Sequence, residues 1–148
     1  MRTMSTSMSA EDASQMAGSV HDLLKEREDA NRAAIREGRA TAGDYRESAD
    51  TLRQRGEFKE AEKIARAAVA LEDGSAEAWR ILGLTLVRRE NFSEAIGALE
   101  RSVALNPNDV MTMRFLSICY LKVGDETRGR DMRTRADALS GGEIPWRE

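Results

Sequence analysis

The chain repeats itself every 34 residues, and that period constrains its fold more than any other feature. "YRESA" (Tyr45–Ala49), "WRILG" (Trp79–Gly83) and "MRFLS" (Met113–Ser117) each open on a bulky residue, place arginine second and close on a small residue. Gly83 is the informative member. The residues around it, Glu77 to Arg89, read as an amphipathic helix, and glycine inside a helix costs about 1 kcal/mol relative to alanine. Each unit contains two apolar-periodic runs of about 12 to 15 residues separated by a short polar turn ("RQRGEF", "RRENF", "KVGDE"), which is the pattern of an antiparallel helix pair. Paired helices approach closely only where side chains are small. Ala49, Gly83 and Ser117 on the first helices are therefore predicted to face Ala61, Ala95 and Gly129 on the second. Helix starts are predicted at Asp44 paired with Glu47, at Ser75, and at Asn108 or Asp109.

The unit from Ala76 to Asp109, "AEAWRILGLTLVRRENFSEAIGALERSVALNPND", resembles the tetratricopeptide repeat at Trp79, Leu82, Gly83, Leu86, Phe92, Ala95, Leu99, Ser102 and Pro107. Tyr45, Ala49, Leu52, Phe58, Ala61, Ala65 and Ala68 fill the matching positions one unit earlier, with Gly56 in the turn; Met113, Leu116, Ser117, Tyr120, Gly124, Gly129 and Ala136 fill them one unit later. The resemblance implies an all-α fold, a right-handed superhelix of three antiparallel helix pairs with an additional N-terminal helix. The expected organisation is a disordered stretch over 1–10, a helical arm and linker over 11–41, repeats over 42–75, 76–109 and 110–139, and a tail over 140–148. The last helix, with Glu126 where Phe58 and Phe92 stand, keeps only Met132, Ala136 and Leu139 on its apolar stripe, as a solubilising cap would. The tail holds Ile144, Pro145 and Trp146.

Composition narrows the function. Charged residues make up 33% of the chain and aromatics 5%, and the formal net charge is -3 from interspersed residues of both signs, so no field gathers a polyanion and nucleic acid is not expected as a partner. The opening residues lack the apolar core of a signal peptide and no window is long and apolar enough to span a membrane, so the chain is expected in the cytoplasm. Cys119, the single cysteine, lies among Phe115, Leu116, Ile118 and Leu121 and is expected to be a buried, inert thiol. His21, the single histidine, sits beside Asp22 on the polar side of the arm. No phosphate loop, paired-histidine motif or nucleophile elbow occurs, so neither a catalytic residue, a metal nor a cofactor is expected, and the chain is read as not an enzyme.

The resemblance places a peptide-binding groove on the first helices: Gly43, Arg46, Asp50, Arg53 and Gln54; Glu77, Arg80, Leu84, Val87 and Arg88; and Met111, Arg114, Ile118, Leu121 and Lys122. Arg46, Arg80 and Arg114 recur in register, and Leu84, Val87, Met111, Ile118 and Leu121 are expected to form an apolar floor. Family members that clamp the terminal carboxylate of heat-shock proteins carry polar residues where Asp50, Leu84 and Ile118 stand, so that ligand is not expected. The reading is a binding module, an adaptor or chaperone for an extended apolar and acidic segment, with an architecture similar to type III secretion translocator chaperones. The alternative is a scaffold that self-associates through its arm or tail. Met16, Val20, Leu23 and Leu24 form an apolar stripe on the arm that one helix cannot bury alone. Because the first repeat offers little apolar surface for it, the stripe is expected either to join a second copy in a homodimer or to lie in its own groove.

Overall fold

The computed structural model describes residues 9–141, apart from the side chain of Ala17; residues 1–8 of the stretch expected to be disordered over 1–10, and the Ile144-Pro145-Trp146 tail, lie outside the described residues, while Ser9 and Ala10 already cap and open the first helix. Seven α-helices run in order: α1 (Ala10–Arg36), α2 (Ala42–Gln54), α3 (Phe58–Leu71), α4 (Ala76–Arg88), α5 (Phe92–Leu105), α6 (Val110–Lys122) and α7 (Glu126–Leu139). Among the described residues there is no strand. Every boundary of α2 and α3 recurs 34 residues later in α4 and α5, and again in α6 and α7.

The turns repeat as strictly as the helices. Gly56, Glu90 and Gly124 share one register position and all take a left-handed conformation, with φ of 81°, 60° and 87°. Each allows the next amide to reach back to the preceding helix: Glu57 N to Leu52 O, Asn91 N to Leu86 O and Asp125 N to Tyr120 O, at 2.9, 2.9 and 2.8 Å. These bonds satisfy carbonyls that a helix end would otherwise leave unpaired. Helix starts are capped by Thr41, Ser75 and Asp109, whose side chains accept from Asp44 N, Ala78 N and Thr112 N. For α2 this corrects the sequence expectation: Asp44 is not the cap but the third residue of a capping box headed by Thr41. Thr41 holds the extended backbone a cap requires, while Asp44 is already helical.

One continuous core runs through all three pairs, from Ala49 and Ala65 through Ile81, Leu86 and Leu99 to Met113, Leu116 and Ala136. Gly83 is required there, and the atoms nearest to it belong to Leu99. A β-carbon on Gly83 would lie 2.5 Å from Cδ2 and 2.7 Å from Cγ of Leu99, one turn beyond Ala95. The glycine makes room for the Leu99 side chain and for the approach of its backbone, whose nitrogen would lie 3.4 Å from that β-carbon. In the last pair the predicted neighbours meet: Ser117 Oγ donates to the carbonyl of Gly129 at 2.7 Å.

The curvature follows from which helices touch. α2 packs on α4 and α4 on α6, whereas the backbones of α3 and α5, and of α5 and α7, stand apart. α3 and α5 meet through the Arg66–Glu94 pair at 2.8 Å. First helices therefore line the inside of the curve. At one end, α1 packs on α2 alone, burying Ala34 and pairing Arg27 with Glu47 and Glu28 with Arg55. The first repeat thus does cover part of the arm, through charge pairs and a small residue rather than an apolar stripe. Met16, Val20, Leu23 and Leu24 remain exposed, and α1 does not lie in the groove. Among the described residues no helix is long and apolar enough to cross a membrane.

Candidate functional site

The inner face presents the first helices α2, α4 and α6, yet much of what the sequence assigned to a ligand is used inside the array. Arg46 reaches across to the start of α4, 3.4 Å from the Ser75 hydroxyl and 3.4 Å from Glu77, with Glu72 at 3.7 Å. Arg80 makes the equivalent reach to Asp109, the cap of α6, at 3.8 Å. These registered arginines join each repeat to the capping residue of the next. The sequence carries that signal, because the polar caps recur in the same phase as the arginines.

A second registered series lies at the other end of the first helices. The Arg88 guanidinium stands 4.9 Å from the centre of the Phe58 ring, and the Lys122 ammonium 6.0 Å from that of Phe92. A cation over an aromatic face is attracted by the ring quadrupole, so each pair ties a first helix to the second helix of the preceding repeat. Phe58 and Phe92, read from sequence only as repeat positions, are therefore part of the inner rim. On α2, Asp50 accepts from Arg53 at 2.7 Å and from Gln54 at 3.2 Å, which closes that end on itself.

What is left to solvent gathers on α6. Met111, Ile118 and Leu121 are 49%, 46% and 47% exposed, at helical spacing along one side. Arg114 lies between them, more than half exposed, with Asp137 only at the 4.0 Å limit. Leu84 does not join this floor: it is 7% exposed, and Val87 is half-buried against the core. α6 holds Arg114 and Lys122 and no acid, so its surface is apolar and cationic.

Beneath this stripe the opposite side of α6 is dry. Cys119 and Leu116 are fully buried, and burial pushes the Cys119 thiol up to about 11, which leaves it protonated and unreactive. Tyr120 is raised to about 12 by burial and by its hydrogen bond to Glu100. His21 is exposed on α1. Among the described residues no group of His, Cys, Asp and Glu side chains is placed to hold a metal.

A curved stack of helix pairs whose first helices line the inside defines a helical repeat protein of the protein-interaction class. Residues 46–110 match the model of the tetratricopeptide repeat family, and the chain is a tetratricopeptide-type right-handed superhelix of three helix pairs with an additional N-terminal helix. No curated protein matches the sequence. Among solved structures, the chain is similar to MamA at 21% identity and a TM-score of 0.75, covering 94% of this chain and 79% of that one. It is similar to the type III secretion translocator chaperone SycD of Yersinia enterocolitica at 16% identity and a TM-score of 0.64, covering 71% of this chain and 80% of that one. PcrH, solved in complex with the chaperone binding region of PopD, shares 20% identity and a TM-score of 0.61 over 66% of this chain and 73% of that one. The chain spans 57% of the length of a MamA RS-1 double mutant that it also resembles. At these identities the likeness is one of fold.

Proposed function

We propose that the protein is a non-enzymatic binding module, an adaptor or chaperone acting in the cytoplasm, that takes up an apolar segment with acidic flanks from a partner protein. Its working surface is the α6 end of the inner face. The observation that carries this reading is the exposed Met111–Ile118–Leu121 stripe beside Arg114 and Lys122 on a helix without an acid. Exposed aliphatics in one stripe tend to mark contact surfaces, and the flanking cations select the charge of what docks there. Arg46, Asp50, Arg53, Arg80, Leu84, Val87 and Arg88 then shape and brace the groove, and the α6 residues make the contact. The fold shared with two chaperones of type III secretion, one solved with a bound partner segment, supports the chaperone form of this reading.

The test uses the full chain with Ile118→Asp and Leu121→Asp together. Both residues are about half exposed, so the melting temperature should stay near wild type. Proteins that co-purify with wild type, identified by mass spectrometry, should be lost. Retention of the same set by the double variant would move the site off α6.

A further inference from the structure

The α6 surface has a complementary counterpart in the same chain. From Ala10 to Leu24, α1 carries Glu11, Asp12 and Asp22 and neither lysine nor arginine, a formal charge of -3, and it exposes Met16, Val20, Leu23 and Leu24 at helical spacing. From Val110 to Lys122, α6 carries Arg114 and Lys122 and no acid, +2, and exposes Met111, Ile118 and Leu121. The stripe runs along about 12 Å of α1, from Met16 to Leu24, and about 15 Å of α6, from Met111 to Leu121, at about 1.5 Å per residue. The two offer each other an apolar line, and the segments carry opposite net charge; Arg114 and Lys122 lie along the α6 stripe, while Glu11 and Asp22 fall on the side of α1 away from its stripe.

The two cannot meet within one copy as folded. α1 is one uninterrupted helix that touches only α2, while α6 lies beyond α4 at the far end of the array. Pairing of two arms with each other is disfavoured, because it would bring two acidic segments against the same small apolar stripe. We propose that the α6 end of the inner face is occupied by the Ala10–Leu24 segment of a second copy of this chain, a head-to-tail contact. This rests on the reading of α6 as the working surface and makes the arm a competitor for the partner. One arm on one helix is a small contact, so self-association is expected to be weak, to rise with concentration and to yield to a tighter partner.

Mixed-chain cross-linking decides the question. One full-length chain carries Val20→Cys and the other Ile118→Cys; the native Cys119 is buried and serves as the wild-type control. On mild oxidation the mixture should give a disulfide-linked pair, while neither variant alone should. Cross-linking of Val20→Cys with itself would show arm-to-arm pairing and overturn the proposal. A monomeric mass by sedimentation at every concentration, with no cross-link in the mixture, would also overturn it. In that case loss of co-purifying partners by Ile118→Asp with Leu121→Asp would leave the binding-module reading standing. As an independent readout, Arg114→Glu should weaken self-association roughly tenfold; self-association unchanged by it would overturn the contact.

Discussion

Leu84 and Ile118 occupy the same register position in the middle and last repeats, yet Leu84 is 7% exposed and Ile118 46%. The helices that carry them have identical length and phase. The difference is in their neighbours: α4 lies between α2 and α6, whereas α6 has a first helix on one side only. In the first repeat the same position is Asp50, held by Arg53 and Gln54. A repeat position therefore acquires its role from its place in the stack. Bracing residues and docking residues share one template.

The largest expected effect separates those two leucine-like positions. Leu84→Asp places an unpaired charge between packed helices and should destabilise by about 3–5 kcal/mol. Ile118→Asp should shift stability by about 0.5 kcal/mol or less, as exposed substitutions do. Urea titrations of the two variants check this, and equal midpoints would mean that the two ends of the groove are packed alike.

Gly83 and Gly129 sharpen the contrast at smaller scale. A β-carbon at Gly83 meets Leu99, which is fully buried and has nowhere to move. At Gly129 it meets Leu121 Cδ2 at 2.9 Å and the backbone carbonyl of Ser117 at 3.3 Å; Leu121 is 47% exposed and can swing outward, so only the carbonyl contact resists. Gly83→Ala should cost about 1–3 kcal/mol from overpacking. Gly129→Ala should cost less than Gly83→Ala, about 1 kcal/mol or below, because the helix propensity gained, about 1 kcal/mol, offsets the shift of Leu121 and part of the strain against the Ser117 carbonyl. A Gly129→Ala variant as damaged as Gly83→Ala would show that the last pair is as rigid as the middle one.

The turns offer the reverse case. Glu90 holds φ 60° where Gly56 and Gly124 stand in the other repeats. Glu90→Gly removes the β-carbon penalty and should stabilise by up to about 1 kcal/mol after the entropic cost of glycine. Thermal melting measures it, and a loss of stability would mean that the Glu90 side chain contributes to the turn.

The smallest effect concerns the arginines. Arg80 is 32% exposed and pairs with the α6 cap, while Arg114 is 56% exposed with its acid at the distance limit. Arg80→Ala should cost up to about 1 kcal/mol and Arg114→Ala nothing measurable. Loss of stability in both would make the third arginine a brace as well.

The sequence by itself determined the period, the helix pairs, the turns and the need for a small residue at position 83, because these depend on local geometry that recurs wherever the pattern recurs. Arg46, Arg80 and Arg114 were legible as a series, and so were Ser75 and Asp109, the caps that the first two approach, but one-dimensional spacing does not show which side chains cross from one repeat to the next. Cap identity at Thr41 turned on backbone conformation, and the contact of Gly83 with Leu99 on how closely α5 approaches α4. Exposure was decided only by the tertiary structure. Leu84 and Ile118 are equivalent aliphatics on equivalent helices, and what separates them is the presence of a packed neighbour on both sides or on one. Burial is a property of the assembled stack, so the open end of the groove became visible only once the repeats were placed beside one another.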